Sequence, residues 1–167
     1  MKKTLLIYSR VCPTESLHTI KIFEHLKKEL DIDTLVIDGT KAFDVKEEQK
    51  KVNSYHNLIF LFTMNWYNIP WNLSRYFIEV FRTFPFTLEG QNIYRIVTTG
   101  NNIAHYTKDE KTGLGTTALE YLNNNDGMLK KLRATIKDTY FYHDCVNYDE
   151  QRLNEFIKTL TSELKKI

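Results

Sequence analysis

The sequence has few of the residues that build cross-linked, fibrous or low-complexity proteins. Its 167 residues include 6 glycines, 3 prolines and 2 cysteines, too few for collagen-like or low-complexity chains. Cys12 and Cys145 are too few and too far apart for a disulfide scaffold or a zinc site, so no metal is expected. No apolar run approaches the roughly 20 residues of a membrane span. The apolar stretch after Lys3 ends at Arg10. It is too short for the hydrophobic region of a signal peptide, which has about 7–15 residues. These absences favour a cytoplasmic protein with reduced thiols and no membrane insertion.

Long blocks of one charge are also missing. Lys and Arg number 23 against 21 Asp and Glu, a net charge of +2, and the basic residues near Lys130 alternate with leucines, as on a solvated helix face. Nucleic-acid binders carry a clustered basic stripe, so no nucleic-acid partner is expected. The chain is instead 42% hydrophobic and 13% aromatic. At this size roughly 70% of the unfolded surface is buried on folding, which predicts a single domain over residues 1–167.

Short apolar runs alternate with helical patterns along the whole chain. The predicted strands are Thr4–Tyr8, Thr34–Asp38, Asn57–Thr63, Ile93–Thr98 and Asp138–Tyr142. The predicted helices are Ser16–Leu30, Lys46–Ser54, Pro70–Arg82, a helix capped by Asp126 and running to Ala134, and a closing helix from Leu153 to Leu164. Such alternation demands right-handed crossovers and a parallel sheet. Five strands at this length predict an α/β flavodoxin-like three-layer sandwich, with strand order 2-1-3-4-5 and helices on both faces.

In such sheets a ligand lies beyond the carboxyl ends of the strands. Phosphate-binding GxxxxGK[ST] and dinucleotide-binding GxGxxG motifs are absent, which disfavours nucleoside triphosphatases and Rossmann dehydrogenases. A phospho-receiver needs acidic residues where Ser9, Arg10 and Thr63 stand. A small Cys-x5-Arg phosphatase beginning at Cys12 would need arginine in place of His18. Cys12 opens a loop into a helix, so either an activated thiolate or an ordinary structural thiol is consistent with its position.

Three loops therefore carry the candidate site. The first contains the hydroxyls of Ser9, Thr14, Ser16 and Thr19, which suit either a phosphate at a helix N-terminus or plain helix capping. In the second, Trp66 and Tyr67 follow a buried strand, and they suit either stacking on a flat conjugated ligand or packing under the next helix. The third ends a strand with hydroxyls and a glycine that lets the backbone approach a ligand. It reads Thr98-Thr99-Gly100-Asn101.

These residues also form a pattern that resembles the flavodoxin-like NAD(P)H:quinone reductases. That family includes the bacterial drug-modulator flavoproteins and the ancillary flavoproteins of potassium-efflux systems. The pattern here consists of Asn57-Leu58-Ile59-Phe60, Trp66-Tyr67-Asn68-Ile69-Pro70, Leu73, Phe77-Ile78-Glu79-Val80-Phe81, Thr98-Thr99-Gly100-Asn101 and Tyr106.

The resemblance implies bound FMN, with FAD possible, and electron transfer by a ping-pong scheme from NAD(P)H to a quinone-like acceptor. It implies a homodimer, to which we assign the aromatic group on and after the third helix, formed by Trp71, Tyr76, Phe84, Pro85 and Phe86. It places the phosphate beside Ser16, Leu17, His18 and Thr19. It places the flavin ring beside Asn65, Trp66, Tyr67, Asn68, Thr98, Thr99, Gly100, Asn101 and Tyr106.

The sequence also departs from the family pattern. The family's second loop glycine is Asn101 here, and the histidine that some members carry a few residues after the tyrosine is missing. Tyr106 and the nearby His105 are therefore the catalytic candidates, while no role is predicted for His25, His56 or His143. Three other functions stay open: an ancillary or regulatory flavoprotein of a transporter, a flavodoxin-type electron carrier (disfavoured by the +2 charge), and a degenerate member with an empty pocket.

Overall fold

The computed structural model describes residues 3–10, 14 and 16–167. Within them a parallel sheet has the strand order β2-β1-β3-β4-β5, which confirms the predicted flavodoxin-like winding. The unbroken apolar run of the third strand occupies the sheet centre, as expected of a strand buried on both faces. The strands are β1 (Thr4–Ser9), β2 (Asp33–Ile37), β3 (Asn57–Thr63), β4 (Asn92–Thr98) and β5 (Thr135–Tyr142).

Helices cover both faces of the sheet. The helices are α1 (Leu17–Glu29), α2 (Val45–Asn53), α3 (Trp71–Tyr76), α4 (Asn123–Lys131) and α5 (Glu150–Leu164). Alternate strand residues point to opposite faces, so Leu6 and Ile59 pack with α1 and α5, whereas Leu5 and Phe60 pack with α2, α3 and α4. The two apolar layers hold the sheet between them and leave the carboxyl ends of the strands at one edge.

Two predicted boundaries are wrong near the end of the chain. Helix α4 begins at Asn123, and Asp126 is in its first turn rather than at its cap. There the Asp126 carboxylate forms a largely buried ion pair with Arg95 of β4. Strand β5 begins at Thr135, earlier than Asp138, because its backbone pairs with β4 from Asn92 onward. In both cases pairing with a distant part of the chain determines where the element begins, and the local sequence does not reveal that pairing.

The third helix changes its winding halfway. After α3 the chain continues as a π-helical turn over Phe77–Phe81. The predicted helix Pro70–Arg82 therefore consists of an α-helical segment followed by a π-helical one. Tyr76 is fully buried and donates a hydrogen bond to Glu48 at 3.0 Å. Tyr76 is therefore a core residue, which corrects its assignment to the aromatic group of the predicted homodimer. Within the described ranges, no helix has the length and apolar composition to cross a membrane.

Candidate functional site

A tight turn over Asn65–Asn68 carries the two aromatics that follow β3. The backbone N–H of Asn65 donates to Asn68 O at 2.9 Å, and the reverse bond measures 3.0 Å. Trp66 and Tyr67, between them, have φ values of +46° and +62°, a left-handed conformation that costs roughly 1–2 kcal/mol per non-glycine residue. Among the described residues, nothing accepts a hydrogen bond from the N–H of Trp66 or Tyr67. The turn therefore presents two backbone donors at the edge of the sheet.

Both ends of this turn are fixed to the sheet and helix. The N–H of Met64 donates to Thr98 O at 2.9 Å, which continues the pairing of β3 with β4. On the other side, Asn68 Oδ1 accepts from the N–H of Ile69 at 2.9 Å just before α3. The Trp66 side chain is 93% exposed, so it does not pack under the next helix.

The loop after β4 is held by its own hydroxyls. Thr98 Oγ1 lies 3.0 Å from Thr63 Oγ1, and the fully buried Thr99 donates from Oγ1 to Asn101 O at 2.9 Å. Asn101 Nδ2 in turn approaches the Tyr67 hydroxyl at 3.4 Å. The loops after β3 and β4, predicted separately from sequence, therefore meet.

Three tyrosines join these loops in one aromatic cluster. The Tyr67 ring centroid lies 5.0 Å from that of Tyr121 and 6.2 Å from that of Tyr106. Tyr106 is only 7% exposed, and burial raises the pKa of its phenol, against an opposing hydrogen-bond contribution from Thr99. Tyr106 is thus a buried component of the cluster rather than an ordinary loop aromatic. Tyr121, which the sequence does not single out, completes it.

The histidine beside Tyr106 is His143, immediately after β5. Its Nδ1 lies 2.8 Å from Thr99 Oγ1, and its ring centroid lies 5.3 Å from that of Tyr106. Burial lowers the pKa of His143. The predicted His105 is exposed, and its Nδ1 lies 3.4 Å from Asn102 Oδ1. No local pattern marks His143, because its partner Thr99 is 44 positions away in the chain.

The start of α1 forms the other end of the candidate site. Ser16 is its N-cap, with Oγ accepting from the N–H of Thr19 at 3.5 Å. The buried Thr19 donates from Oγ1 to Ser16 O at 3.1 Å, so both hydroxyls are engaged in capping. The first N–H groups of a helix have no partner within it, and those of Leu17 and His18 therefore remain for an anion. Cys12, in the preceding loop, lies outside the described residues.

His18 is buried beneath this helix start. It is 5% exposed, and its ring centroid lies 5.4 Å from those of Tyr142 and Tyr148. Its Nε2 has no hydrogen-bond partner among the residues that the structure describes. Burial first, then the positive charges of Arg152 and Lys21, lower the pKa of His18. A buried polar atom without a partner beside a helix N-terminus fits a bound phosphate.

Asn72 links the two ends of the site, and sequence reasoning did not single it out. Its side chain is buried and accepts from Ser9 Oγ at 2.9 Å. It donates to Ile37 O at 3.3 Å and also to Arg10 O. One amide thus ties the carboxyl ends of β1 and β2 to the start of α3, directly after the Trp66 turn.

The chain belongs to the flavodoxin-like family, because the family model described as a flavodoxin-like fold matches residues 2–164. This confirms at family level the resemblance read from the sequence. No curated protein sequence matches the chain at a significant level.

Several solved structures share the fold. An NADPH-quinone reductase from P. pentosaceus is 17% identical, with 96% of each chain covered and a TM-score of 0.82. The general stress protein 14 from Treponema denticola, in complex with FMN, is 21% identical, with 98% of this chain and 96% of that chain covered and a TM-score of 0.77. An FMN-dependent NADH-azoreductase from Bacillus anthracis, in complex with FMN, is 16% identical, with 98% of this chain and 99% of that chain covered and a TM-score of 0.64.

Proposed function

We propose that the protein is an FMN-dependent oxidoreductase that uses NAD(P)H to reduce a quinone-like acceptor. The observation that carries the proposal is the turn over Asn65–Asn68, where the N–H groups of Trp66 and Tyr67 have no acceptor among the described residues and the Tyr67 ring packs against the buried Tyr106. Strained left-handed residues persist where a site needs them. The names of similar structures, which include a quinone reductase and FMN complexes, support the same chemistry.

The two loops would hold opposite edges of the flavin ring. The N–H groups of Trp66 and Tyr67 would donate to the N5/O4 edge, and the aromatic faces of this turn would lie beside the ring. The Thr99–Asn101 loop would bring backbone close to the pyrimidine edge, where Gly100 leaves room for a ligand. The first N–H groups of α1, after the Ser16 cap, would receive the phosphate. FMN is preferred to FAD because two of the similar structures are complexes with FMN.

Tyr106 and His143 would manage charge and protons at the pyrimidine edge. When bound, FMN would supply the redox chemistry, namely hydride transfer from the nicotinamide and electron transfer to the acceptor. Tyr106, a neutral phenol because burial raises its pKa, would donate a hydrogen bond to negative charge developing near N1/O2. The hydrogen bond between Thr99 Oγ1 and His143 Nδ1 would orient the His143 ring beside Tyr106. We assign the role of the catalytic histidine to His143 rather than to the exposed His105.

A visible spectrum of the purified protein tests the proposal most directly. Bound flavin absorbs at about 450 nm, a property of the cofactor itself. We expect that absorbance, together with NADH or NADPH oxidation that depends on an added quinone. Tyr106→Phe is expected to keep the absorbance and lower turnover. Protein that stays colourless after incubation with FMN, or that binds FMN without oxidising either nucleotide, contradicts the proposed enzyme.

We also propose that the active protein is a homodimer. Apolar side chains on and after α3 are open to solvent, with Phe84 91% and Ile78 55% exposed. They border a groove against α4 whose walls include Phe81 and Met128. Such contiguous apolar surface marks interaction sites. Phe84→Glu is expected to be a monomer in light scattering and to have lower turnover. Val36→Glu, the same change at an exposed position of β2, is expected to have neither effect. A fully active wild-type monomer at micromolar concentration contradicts this proposal.

A further inference from the structure

A groove of about 640 Å³ runs along strand β5, on the sheet face that packs with α4. One wall is β5 itself, and the other is formed by residues 117–119. Arg95 of β4 lines the groove although it is only 4% exposed. Tyr106 and His143 form one end, so the groove reaches the candidate site from the side. It combines apolar walls with a buried charge, as small-molecule sites commonly do.

The buried guanidinium of Arg95 is held in place with donors to spare. Its Nε donates to Thr139 Oγ1 at 2.9 Å, and its Nη1 forms the ion pair with Asp126 of α4. These two bonds use two of the five N–H donors of a guanidinium. Because Thr139 Oγ1 accepts the bond from Arg95, its own O–H is left to donate. Arg95 and Thr139 both line the groove, so this end of it suits a ligand rich in acceptor atoms.

The charges at this end favour an acceptor group that is itself negative. Lys137 of β5 lines the groove together with Arg95, and these two cations face the one carboxylate of Asp126. Asp138 also borders the groove, but its charge acts on Tyr140 of the opposite apolar layer, where it raises the phenol pKa after the larger effect of burial. A carboxylate would balance the charge, and arginine binds carboxylates through two parallel N–H bonds.

The other end of the groove is aromatic. The rings of Phe141 and His143 are stacked, with centroids 5.4 Å apart and an interplanar angle of 6°. The Tyr106 centroid lies 5.3 Å from that of His143. Ile103 and Leu119, which border the open side, are 66% and 47% exposed. Aromatic and aliphatic surface of this kind suits a flat, conjugated ring.

We propose that this groove binds an aromatic carboxylate, with the ring against Phe141 and the carboxylate at Arg95 and Thr139. Thr139 and Phe141 are two residues apart on one face of β5, which places them roughly 7 Å apart along the strand. A benzene ring with a directly attached carboxylate spans about that length. The site goes beyond the proposed flavin chemistry. It borders the flavin site at Tyr106 and His143 but does not require a flavin.

Thermal melting with benzoate tests the inference on the purified protein, whether or not it carries flavin. Benzamide, which has the same shape and no charge, is the matched ligand. For a ligand of this size we expect a Kd on the order of 1 mM for benzoate. At ten times Kd the melting temperature is expected to rise by about 3–6 °C. Benzamide is expected to bind about 5- to 10-fold more weakly. Sodium chloride at the same ionic strength controls for screening.

Two variants distinguish a binding site from a structural ion pair. Asp126→Asn keeps the shape of the side chain and removes the carboxylate that competes for Arg95, so benzoate is expected to bind about 5- to 10-fold more tightly. Thr139→Val removes the O–H but keeps a branched side chain that suits a strand, and benzoate is expected to bind about 5-fold more weakly. Thr135→Val, at an exposed position of β5 outside the groove, is the matched control and should bind as the wild type does.

The inference is overturned if benzoate has no effect on the wild type, or if benzamide binds as well as benzoate. It is also overturned if Asp126→Asn binds benzoate no more tightly than the wild type. Should the loss of the ion pair prevent that variant from folding, the comparison of Thr139→Val with Thr135→Val decides, and equal affinities would contradict the site. None of these measurements needs bound flavin. A flavin enzyme that ignores benzoate would therefore contradict the groove alone, and a benzoate-binding protein without flavin would contradict only the proposed function.

Discussion

The two ends of the candidate site each contain a histidine, one buried (His18) and one half-buried (His143), and the two are supported differently. His143 has a hydrogen bond from Nδ1 to Thr99 Oγ1 at 2.8 Å and a ring stacked on Phe141 with an interplanar angle of 6°. His18 lies between two tyrosines, and its Nε2 has no partner in the described residues. The histidine at one end is hydrogen-bonded within the protein, whereas the histidine at the other end has a buried ring nitrogen without a partner among the described residues.

The difference indicates how the free energy of cofactor binding is divided. Leaving a buried polar group unsatisfied costs about 1–3 kcal/mol, so a phosphate that satisfies His18 recovers a cost already present in the flavin-free chain. At the ring end Thr99 already donates to Asn101 O, and the donors left for a flavin are the N–H groups of Trp66 and Tyr67. Their turn is open to solvent, with Trp66 93% exposed, so water can accept from them before a flavin binds, and exchanging that water for the flavin gains little free energy. We therefore expect the phosphate end to dominate affinity and the ring end to set reactivity.

The largest expected effect comes from placing a negative charge at the phosphate end. Ser16→Asp keeps the helix cap, since aspartate is as good an N-cap as serine. It would place a carboxylate against the bound phosphate, and repulsion of about 1–4 kcal/mol would weaken FMN binding by roughly 5- to 1000-fold. Quenching of flavin fluorescence measures the change.

Ser16→Asn is the matched control for that experiment. It has nearly the shape of aspartate and the same capping ability but no charge, so FMN affinity is expected to stay close to that of the wild type. An unchanged FMN affinity in Ser16→Asp would move the phosphate away from α1. It would also remove the basis for comparing the two ends.

A smaller effect separates the two histidines by pH. Burial lowers the pKa of both His18 and His143 below the ordinary histidine value of 6.5, so the folded protein binds fewer protons than the unfolded chain. Stability is then fully present above pH 6.5 and is lost as the pH falls below it. We expect the melting temperature of flavin-free protein to fall between about pH 7 and pH 5. His18→Gln and His143→Gln should each reduce that fall.

Added FMN sharpens this test. A phosphate beside His18 raises the pKa of that histidine, so FMN should remove its part of the pH dependence and leave the part due to His143. The exposed His105, changed to glutamine, serves as the control because folding does not bury it. Identical behaviour of the His18 and His143 variants with FMN present would refute the difference between the two ends.

The fold was predictable because it depends on local patterns. The apolar run of β3 has the same bounds in sequence and structure, and the alternation of strands with amphipathic helices left few topologies to consider. The start of α4 was not predictable, because Asp126 resembles a cap by residue type but pairs with Arg95 across the structure. Composition also does not distinguish the π-helical turn after α3 from an α-helix.

The candidate site was predictable only where one loop contains the signal. Trp66, Tyr67 and the threonines after β4 stand out because aromatics and hydroxyls there interrupt an apolar pattern. His143 and Arg152 do not stand out, because their partners come from other strands and helices. A single sequence contains no information on those pairings beyond what the fold itself supplies.

The smallest expected effect concerns the strained turn at the ring end. Trp66 and Tyr67 both have positive φ, so glycine at either position relieves roughly 1–2 kcal/mol of strain, less about 0.5–1 kcal/mol for the entropy of glycine in the unfolded chain. Trp66 is 93% exposed and loses no packing. Trp66→Gly is therefore expected to raise the free energy of unfolding by up to about 1.5 kcal/mol. Tyr67→Gly, the matched control, gives up ring contacts with Tyr106 and Tyr121, each worth about 0.5–1.5 kcal/mol, and should be destabilised. Urea denaturation of the flavin-free proteins decides between them. A loss of stability in Trp66→Gly as large as that in Tyr67→Gly would mean that the turn is not strained, and that its conformation needs no functional explanation.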